Sequence, residues 1–235
     1  MILPSTDHQD SVTLNTPHPT VFVVDGSVEP RRRLVDAVRC WGFHAEAFES
    51  AESFLAAYER TNPGCLVVRD TLPGMNVQAL LGRLQAKGIW LPVIVVAEEI
   101  DVPEAVRAMQ QGALAVLTPA NHEQELRQWI RRGFELDAKH RQRHFRQRDM
   151  QRRLARLSPA ENEVLDLMIS GKANKNIARH QAVSLRTVET RRQQVFQKME
   201  ADSLAELILM VVEAKVGEGV SEMFELASAG HSRLD

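Results

Sequence analysis

The sequence predicts an α/β domain on a doubly wound, five-stranded parallel sheet, followed by an all-α domain of four helices containing a helix-turn-helix. Three observations carry this expectation. The chain has 235 residues, too many for one ordinary core and about right for two. From residue 20, short and continuously apolar runs alternate with helical patterns, the mark of parallel strands covered on both faces. Beyond residue 157 the strand-like runs stop, and helix caps punctuate the sequence.

The first strand is TVFVV (20–24), and EPRRRLVDAVRCW (29–41) places Leu34, Val35 and Val38 on one helix face. A second strand lies near HAEAF (44–48), and Ser50 caps the helix AESFLAAY. GCLVV (64–68) is the third strand, VQALLGRLQAK the third helix and PVIVVA (92–97) the fourth strand. VPEAVRAMQQ ends at Gly112, ALAVL is the fifth strand, and a fifth helix begins near His122. Function in such a sheet sits at the carboxyl ends of its strands, here Asp25, Arg69-Asp70, Ala97 and Thr118.

The hydrophobic content of 44% with 26% charged residues describes a folded protein, and the net charge of −2 points to no partner by itself. Its distribution does. Residues 1–130 carry 10 Lys and Arg against 16 Asp and Glu, and residues 131–212 carry 17 against 10. An acidic half followed by a basic half suggests a control module joined to one that meets a polyanion. Cys40 and Cys65 are too few for a disulfide framework and read as two reduced core thiols. No apolar run reaches the roughly 18 residues that span a bilayer, and residues 1–19 lack the form of a secretion signal and read as a disordered leader. The expectation is a cytoplasmic protein without a membrane partner.

Residues 20–133 resemble a response-regulator receiver of the FixJ/NarL type through VVDGSVEPRR, LPGMN, DVPEAVRAMQQGA and Pro119 after the fifth strand. The resemblance implies a flavodoxin-like fold in which two acids after the first strand and an Asp after the third hold Mg²⁺ and accept phosphate. A Thr or Ser after the fourth strand and a Lys before the Pro bind the phosphoryl group. This chain departs at those positions. Asp25 is followed by Gly26 rather than a second acid, and counting back four residues from Pro73 gives Arg69. Ala97 replaces the hydroxyl residue, the interval from Gly112 to Pro119 holds no Lys, and Val116 takes the place of the switch aromatic. One carboxylate is a poor set for Mg²⁺, and an always-protonated Arg cannot be a phosphoryl nucleophile. Two readings of the site stay open. Asp70 takes the acceptor role by a one-residue slip, which would turn its side chain to the other face of the strand. Alternatively, Arg69 pairs with Asp25 and stands as a cation where the metal would be.

Residues 134–156 read as a basic helix continuing from the fifth helix, with ten Lys and Arg against three acids between 131 and 156. Phe134, Leu136, Phe145, Met150 and Leu154 hold no heptad, so a coiled coil has little support. Its charge admits three readings: a solvated face, a phosphate contact, or folding onto the acidic first module.

Residues 157–216 give the densest signals. Ser158 with Glu161 forms a capping box with Pro159 at the first helical position, and Val164, Leu165, Met168 and Ile169 form the apolar stripe up to Gly171. Asn174 begins a short helix, and a turn through Ala182-Val183 leads to Ser184, cap of a third helix running to about Met199. Ser203 and Glu206 form another capping box for a fourth helix. A short helix, a tight turn and a helix with polar first turns make a helix-turn-helix. LSPAENEVL, Gly171, NKNIA, the segment 184–189, Lys198-Met199 and SLAEL closely resemble the LuxR/FixJ-type DNA-binding domain, except that Arg191 stands where that family commonly has His. With Ser184 as cap, Glu189, Thr190 and Gln193 can reach base edges. Asn174, Lys175, Arg186, Thr187, Arg191 and Arg192 are placed for the backbone of double-stranded DNA. Glu189 has a second reading, pairing with Arg186 or Arg192 along its own helix.

Together these readings describe a sequence-specific DNA-binding transcription regulator acting without aspartate phosphorylation. It is no enzyme, because no nucleophile–base pair, metal cluster or phosphate-binding glycine loop appears, and no cofactor or metal is implied. Two half-sites suit so small a reader, so a homodimer is expected through the stripe Leu204, Leu207, Ile208, Val211 and Val212, with RNA polymerase a further partner. Some of these residues must also close the domain's own core, and the linker helix or the receiver is the other candidate for the dimer contact. The alternatives are a partner-sequestering interaction protein and a ligand sensor. Trp129-Ile-Arg-Arg132 faintly resembles the W-x-x-R signature of some cyclic di-GMP-binding relatives. The final segment, 217–235, reads as a tail.

Overall fold

The computed structural model describes residues 18–99, 101–118 and 122–214. Most of the expected leader, Pro119 and the expected C-terminal tail lie outside the described residues. The chain divides into two compact units that meet at Ala138 and Lys139.

In the first unit, strands β1 (Thr20–Val24), β2 (His44–Phe48), β3 (Gly64–Arg69), β4 (Val93–Val96) and β5 (Ala113–Leu117) form one sheet in the order β2-β1-β3-β4-β5. Every pairing is parallel. The interleaved helices are α1 (Val28–Cys40), α2 (Ala51–Ala57), α3 (Val77–Ala86) and α4 (Val102–Gln110). Ser50, Asn76 and Asp101 each accept a backbone N–H in the first turn of the helix they precede, and Gly112, at positive φ, follows the end of α4.

Strand alternation splits the core in two. Val21, Val23, Cys65, Val67, Ile94 and Val96 pack with Val35 and Val38 of α1. Phe22, Val24, Leu66, Val68, Val93 and Val95 pack with Phe54 of α2 and Leu80 of α3. Cys65 belongs to this interior, but Cys40 is exposed, against the expectation of two core thiols. It lies two residues past Val38, on the far side of α1.

Helix α5 runs without a break from His122 to Leu154. Leu126, Ile130, Trp129 and Phe134 pack in the first unit, where Asp137, buried, accepts the Gly64 N–H at 2.9 Å. Met150 and Leu154 pack instead in the core of the second unit.

That unit continues with α6 (Pro159–Ile169), α7 (Asn174–His180), α8 (Leu185–Met199) and α9 (204–214). Ser158 and Glu161 cap each other's backbone at the start of α6, with Pro159 in the first turn. The expected box at α9 takes another form: Ser203 accepts from Glu206 N, while Glu206 reaches back to the Asp202 N–H. Val164, Leu165, Met168, Ile177, Val188, Val195, Met199 and Leu207 make the core.

Glu161 ties this unit together. Its buried carboxylate accepts from Ser158 N at 2.7 Å and from Lys198 Nζ at 2.6 Å, joining α6 to α8. The Lys198 hydrogen bond, aided by Ser158, lowers the Glu161 pKa despite burial. A carboxylate lowered in this way stabilises the fold above its ordinary pKa, and the contribution disappears as pH falls through the lowered value. Hydrogen exchange of α6 and α8 amides is expected to accelerate on acidification through that window. Glu161→Gln is expected to remove the pH dependence and to cost about 1–2 kcal/mol at neutral pH.

Candidate functional site

The crevice at the carboxyl ends of β1 and β3 lies where the strand order reverses, the point at which open α/β sheets place their chemistry. Because Val24 pairs with Val68, Asp25 and Arg69 follow as neighbours. Both continue the alternation of Val23 and Val67, and Glu98 continues that of Val96, so three strand ends direct these residues to one side. Arg69 Nε donates to Asp25 Oδ2 at 2.7 Å, and Arg69 Nη1 donates to Glu98 Oε1 at 2.9 Å. Asp25 is 2% exposed, and its other oxygen accepts the Ser27 N–H at 2.8 Å. Burial alone would lower the Arg69 pKa, but the hydrogen bonds and charges of Asp25 and Glu98 outweigh it and raise the pKa. The expected Arg69–Asp25 pair is present, and Glu98 is a partner that the sequence did not reveal.

The other pocket positions are arranged differently. Asp70 faces away from this pair, lining a cavity with Thr71, Asn76 and Glu104, and its Oδ1 accepts the Thr71 N–H. Ala97 is buried and supplies no hydroxyl, Val116 is partly buried, and Thr118 is exposed. A Cβ at Gly26 would lie 2.5 Å from Pro73 Cδ, so a second acid could enter there only if the turn moved.

These residues do not fit Mg²⁺. A divalent ion of this kind takes several oxygen ligands, and here both oxygens of Asp25 are already engaged, one by a guanidinium that also holds Glu98. No cluster of three or more metal-ligating side chains occurs among the described residues.

In the second unit, the first turns of α8 offer a different surface. Ser184 accepts the Thr187 N–H, while Arg186, Glu189, Thr190 and Gln193 are exposed. Glu189 makes no ion pair with Arg186 or Arg192 among the described residues. The Thr190 hydroxyl donates back to Arg186 O, and Arg192 is partly exposed. On α7, Asn174 is partly exposed and Lys175 exposed.

Arg191 has a partner inside the motif. Its Nη1 donates to Gln181 Oε1 at 2.7 Å, and Gln181 donates in turn to Ala160 O and Glu163 Oε2. Gln181 therefore links the turn to both α6 and α8, a role no local pattern announced. The next residue, Ala182, adopts φ +52°, a left-handed conformation uncommon for a residue with a side chain.

The expected dimer stripe is corrected in part. Leu207 is 0% and Val211 4% exposed, because both fill the unit's own core. Leu204 and Ile208 stay at least partly open, Val212 is exposed, and so is Leu209, which the stripe omitted. Trp129 packs on the core beside α1, and Arg132 pairs with Glu135, which removes the support for the W-x-x-R reading.

A receiver-type sheet and a helix-turn-helix on one chain define a class of two-domain regulator. Residues 21–131 match the response regulator receiver domain, and residues 155–211 match the family of bacterial regulatory proteins, luxR family. Transcriptional regulatory protein FixJ of Azorhizobium caulinodans is 34% identical over 196 residues, covering 83% of this chain and 93% of that protein. FixJ of Bradyrhizobium diazoefficiens is 32% identical over 194 residues, covering 83% and 95%. Among solved structures, response regulator StyR matches with a TM-score of 0.77 at 35% identity, covering 83% of this chain and 99% of that one. The chain belongs to the FixJ-like response regulators, transcription regulators that pair a receiver domain with a LuxR-type helix-turn-helix domain.

Removing the Arg69 guanidinium strands a buried Asp25. Arg69→Met is expected to destabilise the first unit by about 2 kcal/mol, below the full figure for a buried pair because Arg69 is partly exposed. Adding Asp25→Asn should recover part of that loss. Trp41, Trp90 and Trp129 all lie in the first unit, so tryptophan fluorescence during urea unfolding reads it selectively.

Proposed function

We propose that this chain is a sequence-specific DNA-binding transcription regulator whose receiver acts without phosphorylation of an aspartate. The observation that carries the reading is Arg69 at the acceptor position, hydrogen-bonded to Asp25 and Glu98. A guanidinium stays protonated and offers no lone pair to a phosphoryl donor. With the carboxylate beside it engaged, the pocket offers neither a nucleophile nor a metal cradle. Asp70, the remaining candidate, faces the opposite side of β3's end.

On the DNA side, we assign Glu189, Thr190 and Gln193 to base edges in the major groove, since they are exposed residues without positive charge on one side of the first turns of α8. Lys175, Arg186 and Arg192, with Asn174 and Thr187, are assigned to phosphates. Arg191 holds Gln181 and adds its charge to the same edge. One such reader covers few base pairs, so the working form is a homodimer on an inverted repeat. Its contact would use the open face of α9, Leu204, Ile208, Leu209 and Val212, and RNA polymerase is the partner through which the bound dimer acts. No described helix is long and apolar enough to cross a membrane, and we place the protein in the cytoplasm with its DNA.

Two expected outcomes test the reading. Acetyl phosphate with Mg²⁺ should give no acid-labile phosphoprotein and no change in DNA affinity; stoichiometric labelling lost in Asp70→Asn would contradict it. On a site selected from random duplexes, with two chains bound, Gln193→Ala should relax preference at one base pair by about 1–3 kcal/mol. Lys175→Ala should weaken all sequences alike, as a gel-shift series would show.

A further inference from the structure

Between Asp137 and Asp149, α5 carries Lys139, Arg141, Arg143, Arg146 and Arg148 and no acid. Arg143, Arg146, Arg148 and Arg152 make no side-chain hydrogen bond or ion pair with any described residue. The next acid along the helix, Asp149, is already engaged by Arg153 at 2.8 Å. Like charges three and four residues apart repel, so Lys139, Arg143 and Arg146 strain the helix they stand on. Burial first, and then the charges of His144, Arg141 and Arg143, lower the His140 pKa to about 4. Phe145, in the middle of the run, is 73% exposed.

This segment belongs to the same compact unit as the helix-turn-helix. Met150 and Leu154 enter that unit's core, and Arg153 donates to Met199 O at 2.9 Å and pairs with Glu200 at 3.0 Å, at the end of α8. At about 100° per residue, Arg148 and Arg152 fall together on the face opposite Met150 and Leu154, whereas Lys139, Arg143 and Arg146 fall on the Met150 side. One exposed basic face of the helix therefore points away from the unit's core.

We propose that the outward face of α5 carrying Arg148 and Arg152 is a second, sequence-independent phosphate contact on the DNA flanking the site read by α8. The proposal rests on the DNA-binding reading above and adds to it a partner for charge that the fold leaves uncompensated. Shared membership of one unit with α8 favours DNA over an acidic protein surface as the occupant. Phosphates would relieve the repulsion among the arginines and release condensed counterions.

The test uses the full chain and a random-sequence duplex of roughly four helical turns, with affinity measured against salt concentration. The variant Arg148→Gln/Arg152→Gln should flatten the log–log slope by about 1–2 units and lower affinity severalfold. The corresponding two Arg→Lys changes should keep the slope, which separates lost charge from a disturbed helix. An unchanged slope in the Gln variant, with helix content intact by circular dichroism, would overturn the proposal and leave the helix-turn-helix reading standing. If the parent chain itself fails to bind the duplex at low salt, the DNA-binding reading and this proposal fall together.

Discussion

The Arg69 guanidinium is the point on which the first unit's chemistry turns. It draws together the ends of β1 and β3 and the segment following β4, because Asp25, Arg69 and Glu98 each continue a strand on the same face of the sheet. A fixed cation at this point satisfies a buried carboxylate that would otherwise be costly to hold ionised. It also consumes the oxygen that a metal would need, while Pro73 stands over Gly26 where a second acid would have to enter. The departures at positions 26, 69 and 97 are therefore mutually consistent. On the phosphorylation-independent reading proposed above, neither a hydroxyl at 97 nor an acid at 26 would have a phosphoryl group or metal to serve.

The second unit solves a different problem, holding a helix firmly while leaving its reading edge open. Glu161 binds α8 from α6 through Lys198, and Gln181 binds it from the turn through Arg191. Arg153 holds the far end at Met199 and Glu200. Glu200 adopts a left-handed backbone without being glycine, and its side chain pairs with Arg153 and Arg156. These anchors use residues at the ends and inner edge of α8, so the exposed Glu189, Thr190 and Gln193 stay uncommitted to the fold apart from the Thr190 hydroxyl.

The sheet, its helices and most caps were legible because continuously apolar strands and Ser, Asn and Asp caps leave local signatures. The Arg69–Asp25 pair was legible for the same reason: strand alternation fixes which residues share a side. Glu98 shares that side too, but a largely exposed acid can equally turn to solvent, and the strand period does not say that it reaches the arginine. The Gln181 contacts join residues 10 to 21 positions apart, so no short pattern encodes them. The α9 stripe failed in an instructive way. Apolar spacing identifies a face but not what covers it, and Leu207 and Val211 turn to their own core while Leu209 and Val212 remain outside. Cys40 was misplaced for the related reason that an apolar neighbourhood in sequence need not be one in space.

The central claim is that a protein cation replaces metal and phosphoryl chemistry in the receiver. Magnesium titration of the full chain, followed by amide NMR, addresses it most directly. The account predicts no saturable change at Asp25, Ser27 or Arg69 up to concentrations that fill ordinary carboxylate sites. Saturable shifts confined to those residues, with release of the Arg69 side chain from Asp25, would contradict it.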